Sequence, residues 1–428
     1  MPHVVVCGAG LTGLTTAWYL RRAGASVTIV EASDAVGGVM GTTRRDGYLV
    51  EHGPNSAMLT APMAQLVDAL GLTPQLRVAA PQAQRRYIVR AGRALAVPAS
   101  PGAMLRSPLF SLGAKLRLLA EPFISRRHGG ADESVASFVR RRLGREPLTW
   151  AVDPFVSGVY AGDPEHLSVT HAFPRLAALE REHGSLVRGM IAGARKSRVA
   201  SGEPGLTSGR ATMVSFADGM GTLPQAIAHD LTDVEMLLGT RVTAIDTSAG
   251  VARVEVVQDG DSRMLDADAV VSTVPTHAFA AIRLPAAVAA SRAQLASLPY
   301  PAVSSLALGF RRADVSHALD GFGCLIPSAE RRDTLGVLFS STLFDGRAPE
   351  GDVLLTCFVG GVRHPAWAPH RPAIWSRACC RSCRHCSACP VHRASCITRH
   401  GRTPFRSTIS ATMRMVTRRT PWSRRCPG

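Results

Sequence analysis

The sequence predicts an α/β fold: a nucleotide-binding domain assembled from two separate stretches of chain, a mixed α+β second domain and a helical insert. Three observations predict it. An apolar strand runs into a glycine-rich turn and a helix at the start of the chain. Strand-and-turn texture returns after residue 205. The stretch between them is mainly helical, with one hairpin-like segment at its front.

The first element is the strand His3–Val4–Val5–Val6–Cys7. It is followed by Gly8–Ala9–Gly10–Leu11–Thr12–Gly13, a helical pattern through Leu14, Ala17, Trp18 and Leu20, and a second strand, Ser26–Val27–Thr28–Ile29–Val30, ending in Glu31 and Ala32. This order is that of a Rossmann-like dinucleotide-binding unit. Gly8 makes the tight turn, Gly10 lets the backbone approach a pyrophosphate, and Gly13 lets the helix pack on the strand. The pyrophosphate then meets the free N–H groups and the macrodipole at the helix N-terminus. Glu31, eighteen residues after Gly13, is placed to accept hydrogen bonds from a ribose hydroxyl.

The next segments separate NAD from FAD. Gly37–Gly38 follow closely, then Gly41–Thr42, then a short strand Tyr48–Leu49–Val50 and Glu51–His52–Gly53–Pro54–Asn55–Ser56. A second glycine doublet permits another close backbone approach, which a cofactor reaching past its pyrophosphate to an isoalloxazine ring needs. FAD is therefore the expected cofactor. An ordinary turn-rich loop is the alternative reading of this segment.

Later pieces are expected to complete the same sheet: strand Thr212–Phe216, turn Gly219–Met220–Gly221, helix Leu223–Leu231, strands Val242–Ile245 and Val251–Val257, and a run from Asp268 to Pro275. Residues 85–97 alternate like a hairpin turning near Gly92. Strands around 303–310, 334–340 and 353–358 are expected to join it. Residues 103–195 are mainly helical, with an apolar face at Leu112, Leu116, Leu119 and Phe123. The expected domains are thus 1–80 with 205–285 for the cofactor, 81–102 with 286–363 for the substrate, and an insert at 103–204.

Composition bounds the function. The chain has 428 residues, 46% hydrophobic and 19% charged, which excludes a wholly disordered polypeptide. Its net charge of +17 would suggest nucleic acid or a membrane surface. However, residues 364–428 hold 13 arginines, no lysine and no acid, together with seven of the ten cysteines. The remaining 363 residues carry a net charge of only +4. With three scattered cysteines, no apolar run of membrane-spanning length and no basic leader before the first strand, the body is expected to be reduced and cytoplasmic. The basic helices around Lys115, Arg117, Arg126 and Arg127 suit a peripheral membrane contact, or equally a solvated helix face. The body suggests no nucleic-acid partner and no metal site, and leaves the oligomeric state open.

The segment Phe155–Val156–Ser157–Gly158–Val159–Tyr160–Ala161–Gly162–Asp163–Pro164, followed by Leu167–Ser168, resembles a signature of the FAD-dependent porphyrinogen oxidases, within the flavin amine oxidase superfamily. Gly219–Pro224 and Phe339–Phe344 with Gly346–Gly351 are similar to further family segments, and the resemblance spans residues 3 to 363. It implies a dehydrogenation in haem biosynthesis: hydride leaves a methylene bridge of the porphyrinogen for the flavin, protons leave pyrrole nitrogens, and O2 reoxidises the flavin to give peroxide. Because the cofactor carries the redox chemistry, no acid–base dyad is required, and none is evident. The resemblance implies that Gly158 lies in the active-site wall and that Arg86 binds a propionate. It also implies that Thr42, Gly53, Pro54, Asn55, Ser56 and the backbone of Val242 contact FAD. GC-rich coding points to the bacterial branch that oxidises coproporphyrinogen III; protoporphyrinogen IX, or a substrate of another flavin amine oxidase-like dehydrogenase, is the alternative. Arg85, Arg86 and Arg90 suit a pocket for carboxylates.

The tail does not continue this resemblance. Cys379, Cys380, Cys383, Cys386 and Cys389, with His385 and His392, give repeated C-x-x-C spacing, which read literally suggests zinc, or an arginine-rich nucleic-acid-binding segment, on an inactive flavin fold. The favoured reading is a shifted frame from about residue 364. Codons permitted for Arg402–Thr412, read two nucleotides later, yield a proline–glutamine–tyrosine segment like that of the family. Such a chain would have lost part of its flavin site and would retain FAD weakly or not at all.

Overall fold

The computed structural model describes residues 1–127, 132–200, 212–247, 251–365 and 395–398. Its N-terminal element is a four-stranded parallel sheet in the order Glu235–Leu237, Ser26–Val30, His3–Cys7, Ala269–Ser272. His3–Cys7 is covered on both faces, which is why it reads as an unbroken apolar run. Val4 and Val6 face helix Leu11–Arg22 and pack with Leu14, Ala17 and Trp18, while Val5 and Cys7 point to the opposite face.

That opposite face corrects one expectation. Arg241–Asp246 and Ala252–Gln258 do not join the parallel sheet. They pair with Asp261–Ala267 in a separate antiparallel sheet, whose Ile245, Val254 and Val256 pack onto Val5, Cys7 and Val30. The strand Ala252–Gln258 buries alternate residues and leaves the others more open, the pattern of a sheet with one covered face. Thr212–Phe216 is also elsewhere, between Ala57–Leu59 and Leu76–Val78 in a third sheet. Of the later strands expected from the sequence, only the 268–275 run supplies a strand to the parallel sheet.

The second large sheet has seven strands: Ser395–Thr398, Val303–Arg311, Asp352–Gly360, Thr334–Leu338, Gly323–Leu325, Tyr87–Arg90 and Arg93–Ala96. Its hairpin turns at Ala91 and Gly92, both at positive φ (51° and 73°), the geometry of a two-residue turn matching strand twist. Ser395–Thr398, within the arginine-rich tail, pairs antiparallel with the edge of Val303–Arg311. The cysteine spacing at 379–389 and the segment 402–412 lie outside the described residues.

The insert packs helices Val135–Arg142, Asp153–Tyr160 and Pro174–His183 around Phe138, Val139, Val156 and Leu186. At its centre the fully buried Arg142 donates to Glu180 at 2.6 and 2.9 Å and to Glu121 at 3.2 Å. The apolar face expected at 112–123 is not turned inward. Leu112, Leu116, Leu119 and Phe123 are 72, 58, 61 and 84% exposed.

Candidate functional site

The turn after His3–Cys7 folds as its glycines demand. Gly8 has φ +105°, open to glycine at little cost. A β-carbon at Gly13 would overlap the Gly8 carbonyl oxygen, so helix and strand approach as closely as backbone allows. Around Gly10, by contrast, a β-carbon would meet nothing within 4 Å. Gly10 is also the N-cap of helix Leu11–Arg22, and no side chain caps the first-turn N–H groups of Leu11, Thr12 and Gly13. An open space facing free helix N–H groups fits an anion such as pyrophosphate.

Glu31 sits at the end of the second strand. Its carboxylate accepts from Ala9 N–H at 2.7 Å, Ser33 N–H at 2.8 Å and the Ser33 hydroxyl at 2.6 Å, which holds it against the glycine turn. Ala32 beside it is exposed. Gly37 donates to Ala9 O at 2.8 Å and bridges to Gly10, and a β-carbon on Gly38 would lie 3.3 Å from Gly10 Cα. Both glycine segments and the acid therefore converge on one place.

Thr42 and Gly53–Ser56 form an adjacent shell. A β-carbon on Gly53 would overlap the Val39 carbonyl, which presses this turn onto the residues just after the glycine doublet. Asn55 donates to Gly53 O at 3.3 Å, with exposed Pro54 between them and half-buried Ser56 beyond. Val242 follows Thr240, whose N–H donates to Glu31 O, and lies at a register shift in its strand.

Sequence reasoning did not place Glu51 or Arg347 among the site residues. Glu51, 7% exposed, accepts from Thr42 Oγ1 at 2.5 Å and from Met220 N–H at 3.0 and 3.1 Å. Burial raises its carboxyl above the ordinary range, against the hydrogen bond from Thr42, the charge of Arg347 and the bond from Met220. Arg347, 3% exposed, stands 3.5 Å from Glu51, and burial lowers its guanidinium. The available signal was an acid closing a strand of buried apolar residues, Leu49 and Val50.

Gly158 and Arg86 lie elsewhere, against the seven-stranded sheet where Gly323–Leu325 pairs with Tyr87–Arg90. Gly158 packs against Leu325, whose Cδ2 a β-carbon would overlap. Leu325 pairs with Ile88, two residues from Arg86. Arg86 lies 5.2 Å over the Phe322 ring and meets no carboxylate among the described residues. Its neighbours differ: Arg85 is paired with Asp320, and Arg90 with Glu146 at 2.8 Å and with Leu109 O. No cluster of three metal-ligating side chains occurs among the described residues.

Comparison with known proteins decides the family, because the profile of the flavin-containing amine oxidoreductases matches residues 11–418. The chain belongs to that family. Its match extends past Arg363 into the tail. Among curated relatives, the chain is 33% identical over 386 residues to protoporphyrinogen oxidase 2 of Arabidopsis thaliana, covering 85% of this chain and 75% of that protein. It is 31% identical over 375 residues to the coproporphyrinogen III oxidase of Bacillus subtilis, covering 84% and 77%. The enzyme of that name from Propionibacterium freudenreichii is 33% identical over 398 residues, covering 85% and 73%. These relatives place the chain in the porphyrinogen oxidase branch. Reduced UDP-galactopyranose mutase (TM-score 0.68, 17% identity, 95% and 85% covered) and the cyclohexylamine oxidase of Brevibacterium oxydans (0.64, 19%, 93% and 84%) share the fold. The family is that of FAD-dependent oxidoreductases, and the open glycine turn with its acid fits that cofactor.

Proposed function

We propose that the chain dehydrogenates a porphyrinogen, coproporphyrinogen III in the first reading, with O2 as final acceptor. FAD would be held by residues 8–13, Glu31, Ala32, Gly37, Gly38, Thr42, residues 53–56 and the backbone of Val242. Bound there, it supplies the hydride acceptor. The chain's own groups orient the partners. The open approach at Gly10 admits the pyrophosphate, Glu31 accepts from ribose, and Arg86 offers a planar fork to a propionate.

The observation that carries the substrate reading is Arg86, a cation free of any carboxylate among the described residues, which leads into the strand paired with that of Leu325, on which Gly158 packs. Four propionates distinguish coproporphyrinogen III from protoporphyrinogen IX, which has two. The ion pairs of Arg85 and Arg90 favour the second reading, protoporphyrinogen, since they leave fewer cations available. The Arg85–Asp320 pair is exposed, however, and such pairs contribute only about 0–1 kcal/mol, so a propionate can compete for Arg85. Parallel assays of the FAD-supplemented protein in air, following porphyrin fluorescence from each porphyrinogen, test both readings. Fluorescence growth with neither substrate would overturn them.

The exposed face of Leu112, Leu116, Leu119 and Phe123 supports a peripheral contact with an anionic lipid surface. Arg106, Arg126 and Arg127 on the same segment are exposed, while its one acid, Glu121, is buried against Arg142. No helix among the described residues is long and apolar enough to cross a membrane. Co-sedimentation with phosphatidylglycerol vesicles, lost in Leu116→Glu/Phe123→Glu, is the expected result; recovery in the supernatant at low salt would overturn it.

A further inference from the structure

Arg347 and Glu51 join segments distant in sequence. The Arg347 Nη2 donates to Ser215 Oγ at 2.5 Å and Phe216 O at 3.3 Å, and its backbone carbonyl accepts from Leu49 N–H at 3.0 Å. Glu51 in turn holds Thr42 and Met220, and Gly221 N–H donates to Thr42 Oγ1 at 2.9 Å. A buried ion pair is a poor device for stability, because removing both charges from water costs about as much as their attraction returns. At 3.5 Å this pair is also longer than a charge-assisted hydrogen bond. What it does provide is geometry: the fork and the carboxylate fix the strand before Gly53 against the turn Gly219–Gly221.

A second observation concerns the other arm of the fork. Among the described residues the buried Arg347 Nη1 has no hydrogen-bond partner, and it lines, with Glu51, Asn55, Ser340, Phe344 and Thr356, a recess of only about 10 Å³, room for a single water. Buried donors are almost always satisfied, so a water fits there, and the side chain is held by Ser215, Phe216 and Glu51.

We infer that Arg347 is a positioning residue for the cofactor. Through Glu51 it sets the backbone of residues 51–56 and 219–221. Its bearing on the cofactor rests on the flavin reading of residues 53–56; the backbone positioning does not.

The test uses the full chain and its Arg347→Met, Arg347→Lys and Glu51→Gln variants. Amide hydrogen exchange of peptides spanning residues 49–60 and 217–225, without added cofactor, reads the positioning role. Arg347→Met and Glu51→Gln are expected to speed exchange at Met220 tenfold or more, and the double variant to be no worse than the weaker single one. Arg347→Lys keeps the charge beside Glu51 and loses the fork. It is expected to retain protection at Met220, whereas Arg347→Met is expected to bind FAD at least threefold more weakly in a fluorescence titration. Wild-type exchange in folded Arg347→Met would overturn the positioning role. Wild-type FAD affinity in a folded Arg347→Met whose exchange is faster would overturn its bearing on the cofactor. If the unaltered chain takes up no FAD, the flavin reading fails, while the exchange measurement still decides the positioning role.

Discussion

Gly13 packs directly on Gly8: a β-carbon on the helix residue would overlap the carbonyl oxygen of the turn residue and approach the Thr273 hydroxyl to 2.9 Å. Two glycines of the same motif therefore serve different ends, since Gly10 faces open space. Gly13→Ala is expected to destabilise the fold by about 1–3 kcal/mol through overpacking against backbone. Gly10→Ala should cost no more than about 1 kcal/mol as a poorer N-cap yet abolish FAD uptake. Melting curves and flavin absorbance check both. Gly10→Ala that binds FAD normally would place the pyrophosphate elsewhere.

Gly158→Ala should behave differently, because its clash is with the tip of Leu325 rather than with backbone. Replacing glycine in a helix interior by alanine gains about 1 kcal/mol, which offsets the strain of moving that tip. Stability is expected to stay nearly constant while the porphyrinogen KM changes several-fold. An unaltered KM would remove Gly158 and Leu325 from the substrate wall.

Acid should loosen the insert first. Burial pushes the Glu180 carboxyl up, but the hydrogen bonds from Arg141 and Arg142 more than reverse this and hold it at about 2, below the ordinary 4.5. A depressed carboxyl stabilises the fold above its unfolded value and loses that contribution as pH falls from 4.5 towards 2. The loss is about 2 kcal/mol once partial screening by water is allowed for. Melting temperature against pH should fall over this window. A Glu180→Gln variant, less stable at neutral pH, should fall less steeply.

Cys7, Cys324 and Cys357 are all buried, and burial pushes the Cys7 thiol up to about 12. Thiolate is the reactive species, so iodoacetamide should leave these three unmodified in the native protein and alkylate them in urea. Peptide mass mapping distinguishes them from the tail cysteines. Rapid native labelling of Cys7 would contradict the sheet packing around it.

The glycine turn and the acid beside it were legible because their requirements are local. A strand, a turn that needs glycine, a helix and an acid follow one another within 31 residues, and each is dictated by backbone geometry that no distant partner alters. Strand existence was legible as well, but sheet membership was not. Val242–Ile245 and Thr212–Phe216 are strands whose apolar residues say that they are covered without saying by which sheet. The apolar stripe at 112–123 likewise shows an amphipathic helix, and only packing shows that the stripe faces outward.

The sequence by itself determined the flavoprotein family, the glycine turn and the acid beside it, because these depend on neighbours along the chain. Only the tertiary structure decided that, among the described residues, Arg85 and Arg90 are held by acids while Arg86 is not. It alone also joined Glu51 to an arginine 296 positions away. Charge pairing and burial depend on distances in space, and those are fixed only when the sheets have closed on one another.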